Sequence, residues 1–208
     1  MSVPPSRSTQ WQWLVLALTL GLIALTAFLA PEERSLGANL RLIMVHGAWV
    51  WVGKIVFGAA ALAGAAGLLL RRLEVHRWSQ ALAHTGLTFW LTYLPMALLV
   101  MQLTWGGLYL DEPRWRVPFT FGVVGLLLQV GLWLASVPWL SSAANVGFGA
   151  ALWWSLGGLQ NILHPDAPIA QSDSTRIQFF FILLLVLTLV LAVQVAFLWR
   201  QAARKRPP

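Results

Sequence analysis

The chain contains no cysteine. Disulfides, thiolate metal sites and thioether attachment of a prosthetic group are thereby excluded. Charge is scarce as well: 10% of residues are charged, against roughly 25% in a soluble domain. Acids are the rarer sign, seven against fourteen Lys and Arg. No Ser-His-Asp order, phosphate-cradling glycine loop or paired-carboxylate spacing occurs, so nothing supports hydrolysis or phosphoryl transfer. No soluble domain and no internal repeat stand out.

What the chain does have is apolar length. It is 58% hydrophobic over 208 residues, with a mean hydropathy of +0.70. Runs of about 20 apolar residues are long enough to cross a bilayer. The expected fold is an all-α polytopic membrane protein with six transmembrane helices, over about 11–30, 42–70, 79–103, 119–138, 146–163 and 177–199. Residues 1–10 form a polar N-terminal segment and 200–208 a basic tail. The first run exceeds a signal-peptide core and only Arg7 precedes it, so it reads as a retained helix. Gly58–Gly67 (GAAALAGAAG) is a small-residue run that admits a close neighbour, and Gly147, Ala151, Ser155 and Gly158 form a second such stripe.

The net charge of +7 would suggest nucleic acid in a soluble protein. Here it sorts by side of the membrane, and no nucleic acid is expected. Arg7, Arg71, Arg72, Arg77, Arg200, Arg204, Lys205 and Arg206 fall at one side, and Arg34, Arg41, Arg114, Arg116 and Arg176 at the other. Eight against five places both termini in the cytoplasm. The basic tail is also open to a protein or to anionic lipid.

The loop between the third and fourth spans, 104–118, then faces outward within QLTWGGLYLDEPRWRVP (Gln102–Pro118). His46, near the start of the second span, and His164, after the fifth, come to the same side. Imidazole is a normal axial ligand of haem iron, and aromatic faces stack on a porphyrin. Arg41, Arg114, Arg116 or Arg176 could pair with its carboxylates. The plainer readings are an interfacial histidine and an ordinary aromatic belt of Trp49, Trp51, Trp105, Tyr109 and Trp115. Lys54, eight residues beyond His46 on much the same face, is costly near mid-membrane, and marks either function or pairing inside the bundle. His84 and His76 fall toward the opposite side, where a packed histidine is the simpler reading. Gln160 and Asn161 precede His164 and could orient its ring or bond between helices.

Trp105–Arg114 reads W-G-G-L-Y-L-D-E-P-R. It resembles the tryptophan-rich WWD signature of the haem-handling cytochrome c assembly family (CcmC/CcsA type), roughly W-G-G-aromatic-W-x-W-D-P-K/R. Trp105, Gly106 and Gly107 match, Tyr109 keeps an aromatic, Glu112 falls on the Asp, and Pro113 and Arg114 fit. Leu108 stands where an aromatic is expected, and Leu110-Asp111 replaces a stretch that should hold Trp. Arg41–Gly53 and Asn161–Pro168 look like the family's two histidine segments, so the resemblance spans about 40–176. It implies non-covalent haem b held axially by His46 and His164 and cradled by Trp105, Gly106, Gly107, Tyr109, Glu112, Arg114 and Trp115. It also implies haem transport in cytochrome c-type biogenesis at a bacterial plasma (inner) membrane. The implied partners are haem, lipid, an ABC-type export complex, a haem chaperone or an apocytochrome c. The alternatives are an accessory structural subunit of a respiratory or photosynthetic membrane complex without haem, and a b-type cytochrome electron carrier.

Overall fold

The computed structural model describes residues 7–159, 163 and 169–204. Six helices account for nearly all of it: α1 (Arg7–Leu29), α2 (Asn39–Leu70), α3 (Leu73–Trp105), α4 (Pro113–Ala135), α5 (Pro138–Gly157) and α6 (Thr175–Arg204). Five of them, all but α5, are long and apolar enough to cross a membrane. The chain is therefore a helical protein of multi-pass membrane type.

α2 and α3 form the central antiparallel pair, turned by Arg71, which adopts the left-handed conformation at the α2 C-terminus, and Arg72. α5 and α4 pack on one flank and α6 on the other, with α1 outermost against α6 and α2. Among the described residues no Cα of α2 comes within 8 Å of one of α4. A cavity lies between the two helices. Asn39 donates to the Leu103 carbonyl at 3.3 Å, so the α2 N-terminus and the α3 C-terminus share one end of the bundle.

Close packing follows the small residues. A Cβ on Gly64 would stand 2.7 Å from the Ser142 carbonyl, and one on Gly149 would stand 2.7 Å from the Ala61 Cβ. The Gly58–Gly67 run is thus where α5 approaches α2. The second stripe differs from expectation: Gly147 faces open space, and Ala151 and Gly158 are exposed. The buried face of α5 is instead Ser141, Ser142, Asn145, Phe148, Gly149 and Leu152. Both faces offer small residues, but polar side chains in an apolar bundle must find partners inside it. Gln129 donates to Asn145 at 2.9 Å, Asn145 to Ser79 at 3.0 Å, and Ser79 to the Ala60 carbonyl at 2.8 Å. This chain joins α4, α5, α3 and α2, and it decides which face of α5 turns inward.

The helix boundaries also shift. Residues 139–145, read in the sequence as a turn, are helical; the α4–α5 turn is Ser136-Val137, and Pro138 opens α5. Proline fits the first helical position because its missing N–H would have had no partner there. The basic turn expected over Arg71–Trp78 is only Arg71-Arg72, and His76 already lies on α3.

Candidate functional site

The cavity between α2 and α4 has a volume of about 150 Å³ and opens to the surface. α2 contributes His46, Val50 and Lys54, spaced by four so that one helical face lines it. α3 contributes Trp90, Tyr93 and Trp105, and the loop and α4 contribute Glu112, Arg114 and Trp115. Five residues expected at the site, His46, Trp105, Glu112, Arg114 and Trp115, therefore line one space.

Local chain features put them there. Gly106, with φ +71°, ends α3 in the left-handed conformation that glycine adopts without strain. Glu112 precedes α4, where Pro113 starts the helix, and its carbonyl accepts from Trp115 and Arg116 at 2.9 Å each. The loop is thus Gly106–Glu112, shorter than the polar stretch suggested, because helix invades it from both sides. Glu112 is 4% exposed, and its Oε2 accepts the Leu163 N–H at 3.2 Å. Trp115 is buried and stacks on Phe119, with centroids 5.6 Å apart and planes at 27°.

Other expected residues stand apart from the cavity. Tyr109 is 45% exposed and meets Trp105 edge to face at 6.0 Å. Gly107 packs beside the Tyr109 ring, and Gly106 is a helix stop. Leu108 and Leu110 are exposed at the loop tip. His164, the second expected axial ligand, lies outside the described residues, as do Gln160 and Asn161.

Two aromatic residues were missed in the sequence. Tyr93 is buried, 5.3 Å from the His46 ring and 5.3 Å from the Trp90 ring. Trp90 is held by its indole N–H donating to the Pro118 carbonyl at 2.9 Å. The available signal was spacing: Trp90, Tyr93, Ala97 and Met101 recur at helical intervals on α3. Lys54, singled out by the helical face it shares with His46 and by its depth, does line the cavity. Its ammonium lies 4.2 Å from the Trp51 ring centroid and 4.8 Å from that of Trp153.

At the other end, His76 and His84 face different neighbours. His76 Nδ1 is 2.7 Å from Ser142 Oγ, against Gly67. The His84 ring packs on Trp199 at 5.0 Å. Among the described residues no group of three His, Cys, Asp or Glu side chains could hold a metal ion.

The fit to haem can be judged from the donors and the volume. An imidazole, two indoles and a guanidinium are the kinds of group that bind a porphyrin's iron, face and carboxylates. The cavity's volume of about 150 Å³ is below the roughly 300–1,000 Å³ usual for ligand pockets, so a ligand of porphyrin size extends out of it toward the surface. No protein-family model matches the chain, and no curated protein matches it in sequence.

Proposed function

We propose that the chain is a haem-handling membrane protein, holding non-covalent haem b at the cavity end of the bundle for transfer to an acceptor. One observation carries the reading: His46 shares a single cavity with Trp105, Trp115 and Arg114, residues from three elements and distant in sequence. His46 and His164 would hold the iron through imidazole nitrogens. Trp105 and Trp115 would bear on the ring, and Arg114 would meet a carboxylate. Haem supplies an iron that exchanges ligands; the chain's own residues bind, orient and release it. Glu112 fixes the start of α4, and with it Trp115 and Arg114.

In the same reading all six helices cross a bacterial plasma membrane, both termini are cytoplasmic, and residues 104–118 face outward. α5 counts as the sixth span because Ser141, Ser142 and Asn145 are satisfied inside the bundle and not by lipid. An export complex, a haem chaperone or an apocytochrome c would then meet the outer face, where Leu108, Tyr109 and Leu110 are exposed. The test is spectroscopic. The purified chain from haem-replete cells should carry a Soret band that His46→Ala and His164→Ala each weaken and the pair abolishes. A preparation without haem, which also fails to take up added haemin, overturns the proposal. Haem that survives both substitutions overturns the ligand assignment.

A further inference from the structure

We infer that Lys54 is a second binding point on the cavity wall, a subsite for the carboxylate of an otherwise apolar, membrane-partitioning ligand. This deepens the reading above and rests on it only in that the cavity takes a ligand at all.

Lys54 is the sixteenth of the 32 residues of α2. At 1.5 Å per residue it lies about 23 Å from either helix end. A bilayer core is about 30 Å thick, so that position is near its middle. A lysine there costs at least about 2.5 kcal/mol unless it meets a partner or water. An ordinary remedy is to send the ammonium along the helix to the interface. Lys54 does not do this. Its ammonium sits between the Trp51 and Trp153 rings, and the Trp153 indole N–H donates to the Lys54 carbonyl at 3.1 Å. The bond fixes the second ring beside the charge, so α2 and α5 together hold the lysine in place.

Indole faces attract a cation but do not neutralise it. Among the described residues no carboxylate lies within ion-pair distance of Lys54. The cavity's described lining holds two fixed cations, Lys54 and Arg114, and one carboxylate, Glu112. Glu112 is engaged at the rim with the Leu163 N–H. An anionic group entering the cavity beside Lys54 gives the ammonium an ion-pair partner, and the apolar walls accept the remainder of its molecule. His46 and Lys54 are eight residues apart, or about 12 Å along one helical face. A single ligand can therefore meet both. The carboxylate could be a porphyrin side chain or could belong to a fatty acid drawn from the bilayer.

The full chain in lipid nanodiscs decides this, with Trp fluorescence quenching as the readout. The probes are haemin and haemin dimethyl ester, then 1-pyrenebutyrate and 1-pyrenebutanol, and oleate as competitor. Wild type should bind each acid about tenfold more tightly than its uncharged partner, the value of a charge-assisted hydrogen bond. Lys54→Met should lose that preference for pyrenebutyrate and only part of it for haemin, whose second carboxylate still meets Arg114, and Lys54→Arg should keep both. Equal binding of pyrenebutyrate and pyrenebutanol by wild type overturns the inference, and so does a pyrenebutyrate preference that survives undiminished in Lys54→Met. Oleate that displaces pyrenebutyrate but not haemin assigns the subsite to a fatty acid; displacement of both assigns a shared subsite. If wild type prefers pyrenebutyrate yet binds haemin in neither form, the subsite stands and the haem reading falls. If haemin binding needs His46 and pyrenebutyrate binding ignores Lys54, the reverse holds.

Discussion

At the scale of single residues, the buried amides set the strictest terms. Asn145 is 3% exposed, accepting from Gln129 and donating to Ser79. Asn145→Ala strands the Gln129 amide N–H and the Ser79 hydroxyl oxygen in an apolar interior, a loss of about 1–3 kcal/mol. Replacing both partners by apolar groups removes the unmet donor, so Asn145→Ala with Gln129→Leu should recover part of it. Unfolding in mixed micelles checks this; a double variant less stable than Asn145→Ala would show that the network is not what Gln129 contributes. Glu33 gives a pH-dependent counterpart outside the spans. Its carboxylate accepts from the Ser35 hydroxyl, then from the Ser35 and Leu36 N–H groups at 3.0 and 3.2 Å, and these bonds hold its pKa below the usual value. A lowered folded pKa stabilises the turn above the ordinary carboxylate range, and that contribution is lost as pH falls through the folded value. The protection of the Ser35 and Leu36 N–H groups against hydrogen exchange, taken relative to the intrinsic rate at each pH, should fall in acid for wild type and be low at every pH in Glu33→Gln. Protection unchanged by pH in wild type would refute it.

At the scale of elements, two glycines on one helix should behave in opposite ways. Gly149→Ala puts a methyl 2.7 Å from the Ala61 Cβ and 3.1 Å from the Phe57 carbonyl. Neither neighbour can swing aside, so α5 must lift from α2, at about 1–3 kcal/mol. Gly147→Ala meets nothing within 4 Å, and should gain about 0.5–1 kcal/mol of helix propensity. Unfolding midpoints that fall together, or rise together, would contradict this packing. The same pair marks the limit of the sequence. Long apolar runs made α1, α2, α3, α4 and α6 legible, because lipid demands length and hydrophobicity along the whole helix. α5 was legible as a helix but not in its bounds or its face. Glycines at 147 and 149 look alike until Ser141, Ser142 and Asn145 find partners, and those partners sit on other helices. The site divides in the same way. His46, Trp105, Glu112, Arg114 and Trp115 could be singled out by residue type and spelling. Tyr93 and Trp90 had only their helical spacing with Ala97 and Met101, which marks a shared face but not which space that face lines.

At the scale of the whole molecule, the open question is how many times the chain crosses, and α5 decides it. The two-residue turn at Ser136-Val137 sends α5 back along the bundle beside α4. Twenty helical residues rise about 30 Å, the thickness of the hydrocarbon core. Its Ser and Asn side chains lower its apolarity, but they are spent on Ser79, His76 and Gln129 and not left to lipid. The basic residues Arg71, Arg72, Arg77 and Arg200 gather at the end opposite the cavity, where Glu74 pairs with Arg77 at 2.9 Å and with Arg200. Positive charge at that end favours the cytoplasm. The natural absence of cysteine makes the test direct, since single cysteines report without background. In intact cells a membrane-impermeant maleimide should label Leu110→Cys and Ser172→Cys, and should reach Ser136→Cys only after permeabilisation. If α5 does not cross, Ser172→Cys will be protected along with Ser136→Cys, and the C-terminal tail will lie on the side opposite the N-terminus.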